Sequence, residues 1–285
     1  MSVLVALDQK LAQLHLSRLR AVVASWIAQA EQQQLGYAEF LDELLAEELL
    51  GRQENQIRRK LKAAGFPYAA TLEQFDWSVR PELKRAVMMR YFDSAFVEKA
   101  GALILIGPSG LGKTHLAIAL GTRMVQLGYS VRFLTAQQFA NQIAAAPNRT
   151  AVEQVLRPLL RCQLLILDEF GYLAVDPQIG PALYELVSGR YTHGATVITS
   201  NKSLASWGEV IGGDSALMMA ILDRLLHHGD VFYLRGASYR LRGKESLVLG
   251  TPAPAGAGVP STSDGTPAYQ GKERLPLQNS ETGVE

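Results

Sequence analysis

Two periodicities divide this chain. From Leu7 to about Gly65 apolar residues recur at helical spacing. Leu7, Leu11, Leu14, Leu19, Val23, Trp26 and Ala30 form one stripe; Phe40, Leu41, Leu44, Leu45, Ile57 and Leu61 form a second. Spacings of three to five residues gather such positions on one side of an α-helix. Residues 1–66 therefore read as a small all-helical N-terminal domain, with both stripes in its core. Residues 67–100 read as a linker followed by a helix, with Pro81 in its first turn and its end near Phe96. From Ala102 the pattern changes. Short apolar runs at Ala102–Ile106, Val131–Leu134, Leu164–Leu167, Thr196–Thr199 and Val231–Leu234 alternate with longer helical segments. Runs that lack polar alternation suit strands buried on both faces, and strand–helix alternation gives a parallel sheet. The expected fold is α/β, a five-stranded parallel sheet flanked by helices over residues 101–250. Residues 251–285 are rich in Pro, Gly, Ser and Thr and bury too little apolar surface to offset their ordering entropy, so a disordered tail is expected there.

Composition narrows the class. With 48% hydrophobic and 19% charged residues the chain can build a large core without staples. Its single cysteine, Cys162, excludes an intramolecular disulfide and fits a reducing compartment. Residues 1–9 lack the basic start and apolar core of a signal peptide. No apolar run approaches the ~20 residues that span a bilayer. A soluble, cytoplasmic protein with no membrane partner is expected. Net charge is +1, so bulk charge does not announce a nucleic-acid partner. Its distribution is more telling. Arg52, Arg58, Arg59, Lys60 and Lys62 cluster at the end of the helical region, after an acidic stretch containing Glu39, Asp42, Glu43, Glu47 and Glu48. A basic edge of this kind suits phosphate contact, and equally a solvated helix face.

Candidate chemistry begins after the first strand. Gly107-Pro108-Ser109-Gly110-Leu111-Gly112-Lys113-Thr114 follows an apolar run and opens a helical pattern. Glycines let the backbone curl so that its N–H groups face phosphates, and the helix N-terminus adds a positive dipole end. In that context Lys113 suits the β- and γ-phosphates of ATP, and the Thr114 hydroxyl suits Mg²⁺. About fifty residues on, the run Leu164–Leu167 delivers Asp168 and Glu169 at a strand end. Asp168 suits the Mg²⁺ shell and Glu169 the base that polarises water. Thr199-Ser200-Asn201 ends another run; Asn201 could lie beside Asp168, or it or Ser203 could cap the next helix. Arg224, on the helical pattern Ala216–Leu226, suits either an ion pair or an arginine offered to a neighbour's γ-phosphate. The histidines lack metal-ligand spacing, and Cys162 reads as a small core residue.

These residues carry a resemblance. Gly112-Lys113-Thr114-His115-Leu116-Ala117, Leu167-Asp168-Glu169-Phe170-Gly171-Tyr172-Leu173, Thr199-Ser200-Asn201 with Trp207-Gly208-Glu209, Leu222-Asp223-Arg224-Leu225-Leu226-His227-His228 and Gly236-Ala237-Ser238-Tyr239-Arg240 resemble the IstB-like ATP-binding proteins, across about residues 5–245. Those are AAA+ helper ATPases of insertion-sequence transposition, close to the DnaC helicase loaders. The resemblance implies an AAA+ P-loop fold and ATP and Mg²⁺ as cofactors. It implies that Asn201 is the sensor-1 residue and Arg224 the trans-acting finger, and that His115 and Arg240 are nucleotide-site candidates. It further implies a homo-oligomer assembled through ATP on double-stranded DNA beside the transposase of the same element, with a DnaC-like helicase loader as the alternative. A small-molecule kinase would need an Arg-rich lid, and a nucleotide-binding scaffold would not need Asp168 and Glu169 together.

Overall fold

A computed structural model describes residues 3–80, 83–171, 178–211, 213–236 and 238–239. Pro81, Tyr172, Arg240 and the tail 251–285 lie outside the described residues.

Three helices come first: α1 (Val3–Gln13), α2 (Ser17–Gln33) and α3 (Tyr37–Ala64). His15, with φ of 56°, turns the chain between α1 and α2. Gly65 closes α3 in the left-handed conformation favoured just past a helix end. Leu11, Leu19, Val23 and Leu44 form the core of this layer, with Trp26 and Phe40 packed against it. Leu14, Leu41 and Leu45 depart from expectation, being 65%, 55% and 54% exposed. Leu14 falls beyond the end of α1. On α3, Leu41 and Leu45 each stand one residue, ~100° of helix, past Phe40 and Leu44, which face α2.

The far half of α3 has a different partner. Ile57, Leu61 and Phe66 pack into the core beneath the sheet. The Lys60 ammonium donates to Gly128 O, and Arg132 Nη1 donates to Ala63 O at 2.7 Å. Residues 67–80 and 83–100 form a packed layer of short turns: a 3₁₀ turn at Trp77–Val79, α4 (Arg85–Met88), a second 3₁₀ turn at Met89–Phe92, and α5 (Ser94–Glu98). The single helix expected up to Phe96 is interrupted at Asp93. Its carboxylate accepts the Ala95 N–H at 3.1 Å and starts α5 afresh. Met88, Phe92 and Phe96 are buried by this arrangement.

The sheet contains β1 (Ala102–Ile106), β2 (Val131–Thr135), β3 (Leu164–Phe170), β4 (Ala195–Ser200) and β5 (Gly229–Tyr233), all parallel, in the order β2-β3-β4-β1-β5. Between them run α6 (Lys113–Gln126), α7 (Ala136–Ala144), α8 (Arg149–Arg161), α9 (Ile179–Arg190), α10 (Trp207–Val210) and α11 (Ser215–His227). Side chains alternate between two cores. Ile104, Ile106, Leu165, Leu167 and Ile198 point to the α7–α11 side, and Leu103, Leu105, Ile166 and Val197 to the α6 side. Burial on both faces explains the unbroken apolar runs of β1, β3 and β4, whereas the edge strands β2 and β5, paired on one side only, are partly exposed. Each fully buried Leu or Ile contributes about 1.5–3 kcal/mol.

One buried cation braces the sheet floor. Arg190 is 2% exposed, and its guanidinium donates to Leu159 O (2.6 Å), Cys162 O (2.8 Å) and Thr196 Oγ1 (3.2 Å). It joins the end of α8 to the starts of β3 and β4. The topology then sets the opposite edge. The chain leaves β1 for the outer strand β2, returns through β3 to β4 beside β1, and crosses to β5. In open α/β sheets the crevice at such a reversal, over the strand C-termini, is where ligands bind.

Candidate nucleotide-binding site

The loop 107–112 leaves β1 at that crevice and ends where α6 begins. It is fixed from three sides. Gly107 N donates to Ser200 O (3.0 Å) from β4, Tyr239 N donates to Gly110 O (2.9 Å), and Arg80 Nε donates to Leu111 O (3.2 Å). Glycine is needed at several points of this path. Gly110 and Gly112 have φ of 80° and 89°; a Cβ on the first would lie 2.0 Å from Ser238 Oγ, and on the second 2.8 Å from the Phe75 ring. Lys113 is buried and donates from Nζ to Gly107 O (2.6 Å) and Pro108 O (2.7 Å), so its charge sits over the loop.

Thr114 and Asp168 meet directly. Thr114 Oγ1 donates to both carboxylate oxygens of Asp168, at 2.9 and 3.1 Å. Asp168 is 4% exposed, and Thr199 Oγ1 donates to its Oδ1 at 2.5 Å. A hydroxyl and a carboxylate this close form a hard-oxygen donor pair that fits Mg²⁺, which takes one or two carboxylates and fills its shell with water and phosphate oxygens. Among the described residues no cluster of three or more His, Cys, Asp or Glu could hold a metal by itself.

The neighbouring Glu169 is held in an unusual conformation. Strands β3 and β4 pair Leu167 with Ile198 and then Phe170 with Ser200, so β3 carries one extra residue. That is a β-bulge, a device that re-aims a side chain. Glu169 occupies the left-handed region (φ 57°), is exposed, and faces the cavity, while Asp168 is buried. Asn201 lines the same cavity. Ser203 precedes a 3₁₀ turn, Leu204–Ser206, without a side-chain capping bond.

The cavity has a volume of about 410 Å³, within the range of small-molecule sites. Ser109–Thr114, Glu169, Thr199 and Asn201 line its polar end, and Phe75, Val79 and Tyr239 bring apolar surface. His115 lines it too, with Nε2 3.1 Å from Thr71 O. Sequence reasoning did not single out Phe75, Arg80, Thr199 or Tyr239 as separate site residues. Their approach depends on tertiary packing, although Thr199 and Tyr239 stood in motifs that carry the family resemblance.

Two expected groups lie elsewhere. Arg224, on α11, is not among the residues lining the cavity. Its guanidinium donates to Ala220 O (2.8 Å) and Tyr184 Oη (2.9 Å) and stacks on the Tyr184 ring, 4.8 Å from its centroid. The basic cluster lies on α3. Arg58, Arg59 and Lys62 are exposed, Arg52 pairs with Glu48 (2.9 Å), and Lys60 turns toward Gly128.

Comparison with known proteins adds to this geometry. Residues 9–246 match the model of the family described as IstB-like ATP binding protein. A Pseudomonas aeruginosa protein named for ATP binding in insertion sequence IS21 is 40% identical over 238 residues, which is 84% of this chain and 89% of that one. A Geobacillus stearothermophilus protein named likewise for IS5376 is 37% identical over 233 residues, covering 81% and 92%. The solved structure of replication initiator DnaA bound to AMPPCP and single-stranded DNA superposes with a TM-score of 0.52 at 16% identity, over 67% of this chain and 58% of that one, a likeness of fold. The glycine-rich loop 107–112, the Thr114–Asp168 pair and the parallel sheet thus occur in a chain of AAA+ fold that belongs to the IstB-like ATP-binding protein family.

Proposed function

We propose that this chain is a DNA-binding ATPase that assembles with ATP as a homo-oligomer on duplex DNA and assists the transposase of an insertion sequence. The observation that supports it most is the convergence of Lys113, Thr114, Glu169 and Asn201 on one cavity at the sheet edge, with Asp168 bonded to Thr114 behind it, in a chain of an insertion-sequence family. The triphosphate lies along loop 107–112 with the base toward Phe75, Val79 and Tyr239. Lys113 turns from its loop carbonyls to the β- and γ-phosphates. Thr114 and Asp168 hold Mg²⁺, which when bound neutralises charge building on the phosphate oxygens. Glu169 accepts a proton from the attacking water as the bond to the γ-phosphorus forms and the bond to ADP breaks; Asn201 orients that water.

Arg224 completes a neighbour's site in trans. This role fits its absence from the lining of its own cavity and its placement on Tyr184, which offers a single hydroxyl and a ring face in place of a carboxylate. Arg58, Arg59 and Lys62, with Arg52, track the DNA backbone. Their contacts carry charge and little sequence information. Among the described residues no helix is long and apolar enough to cross a membrane.

A helicase loader is the alternative cargo for the same engine. The names of the relatives favour transposition. Two measurements test the proposal: ATP turnover with and without duplex DNA, and co-purification with the element's transposase against replicative helicase. Turnover stimulated by duplex DNA and capture of the transposase are expected. Absence of turnover with DNA present, or capture of the helicase alone, contradicts it.

A further inference from the structure

The extra residue in β3 leaves a gap in the ladder, and one side chain of β4 fills it. At the bulge Glu169 N has no strand carbonyl opposite it in register, and it donates to Thr199 Oγ1 at 3.0 Å. The same oxygen donates its own hydrogen to Asp168 Oδ1 at 2.5 Å. A hydroxyl has one donor and two acceptor positions, so Thr199 can satisfy both neighbours at once. It is 1% exposed, so its hydroxyl is largely shielded from solvent. On the other side of the bulge Ser200 Oγ donates to Phe170 O (2.5 Å) and accepts from Trp207 Nε1 (3.2 Å), so β3 is pinned immediately after the irregular residue.

The consequence concerns both acids. A non-glycine residue at φ of 57° persists only where its surroundings over-determine it. Thr199 supplies the hold on Glu169's own amide. Through Asp168 Oδ1 it also fixes the carboxylate that Thr114 grips from the opposite side. We propose that Thr199 is a positioning residue: its buried hydroxyl holds the Glu169 bulge and the Asp168 carboxylate in their working relation. This inference rests on the ATPase reading of the site. Its hydroxyl is engaged by Glu169 N and Asp168 Oδ1, and it acts through these two acids.

Three variants test it, with kcat, KM for ATP and equilibrium nucleotide affinity measured in the full chain with Mg²⁺ and duplex DNA. Thr199→Val keeps the shape and removes the hydroxyl. Thr199→Ala removes it with a smaller side chain, and Thr199→Ser retains it. Misplacement of a reacting group by ~1 Å costs about a hundredfold, so the Val and Ala variants should lose at least about tenfold in kcat. Their nucleotide affinity and KM should stay within about threefold, because Lys113, Thr114 and the loop are intact; the Ser variant should keep kcat within about threefold. A residue that only fills the core would instead follow side-chain size and shift binding with turnover. Parental kcat in the Val variant, or a Ser variant as slow as the Val variant, overturns the inference while leaving the ATPase reading in place. A parent chain that binds ATP without turning it over removes the ATPase reading, and this inference with it.

Discussion

At the scale of single residues, the two acids at the end of β3 are neighbours in sequence with opposite environments. Asp168 is buried between two hydroxyls, and Glu169 is exposed at the cavity. Substitution should separate them from Lys113. Lys113→Ala removes the cation over the loop and should abolish ATP binding, read by titration with a fluorescent ATP analogue. Glu169→Gln should bind ATP near parental affinity, since Lys113, Thr114 and Asp168 remain. Its turnover should fall by about a hundredfold or more for loss of the base. Parental turnover in Glu169→Gln would remove Glu169 from the base role. Much of this candidate site was legible from spelling, because the glycine-rich loop 107–112 and the acidic end of β3 are contiguous segments. Thr199 and Arg80 were not, because their contacts depend on β3–β4 register and on packing across 31 positions of chain. The bulge itself has no sequence signal: nothing in Leu167-Asp168-Glu169-Phe170 marks Glu169 as left-handed.

Among the elements, α3 carries the most separable functions. Its first half caps α2. Glu48 Oε2 accepts the N–H groups of Arg18 (3.1 Å) and Leu19 (3.2 Å), which α2 cannot satisfy internally, and Oε1 pairs with Arg52. Burial opposes the charge on Glu48, but Arg52 and the two amides outweigh it and hold the carboxyl below the ordinary glutamate range. A lowered carboxyl pKa lends stability that is present above that range and lost as pH falls through the folded value. Glu48→Gln should therefore destabilise the chain by about 1–3 kcal/mol at neutral pH. In denaturant unfolding the gap to the parent should narrow as pH falls below the ordinary glutamate range and close only beneath the folded value, where the carboxyl is protonated in both states. A gap independent of pH would contradict the charged cap.

The second half of α3 offers the test of DNA contact. Lys60 serves packing through Gly128, so the informative variant is Arg58→Ala, Arg59→Ala and Lys62→Ala together. Its DNA affinity should fall and the slope of log K against log salt should flatten, by up to about 0.9 for each phosphate no longer neutralised. Unchanged affinity and slope would move the DNA surface elsewhere. Element identity was readable here and facing was not. Periodicity marked the helices, yet Leu41 and Leu45 belong to a face that meets solvent, because the layer beside α3 is narrower than its apolar arc.

For the whole molecule the question is whether one chain contains a complete site. Lys113, Thr114, Asp168, Glu169 and Asn201 meet within it, while Arg224 lies on α11 outside the cavity, on Tyr184. If Arg224 works in trans, Arg224→Ala should bind ATP through its own loop and lose about a thousandfold or more in hydrolysis. Mixing is the most direct measurement. Arg224→Ala and Glu169→Gln chains are each assayed for ATP turnover alone, then combined under conditions where co-assembly is shown by differential tags. A mixed oligomer contains sites where an Arg224→Ala subunit keeps its Glu169 and receives Arg224 from a Glu169→Gln neighbour. Turnover should return in the mixture, rising to a maximum near equal proportions. A co-assembled mixture as inactive as its parts, or an Arg224→Ala chain with parental turnover, would contradict a site completed between subunits.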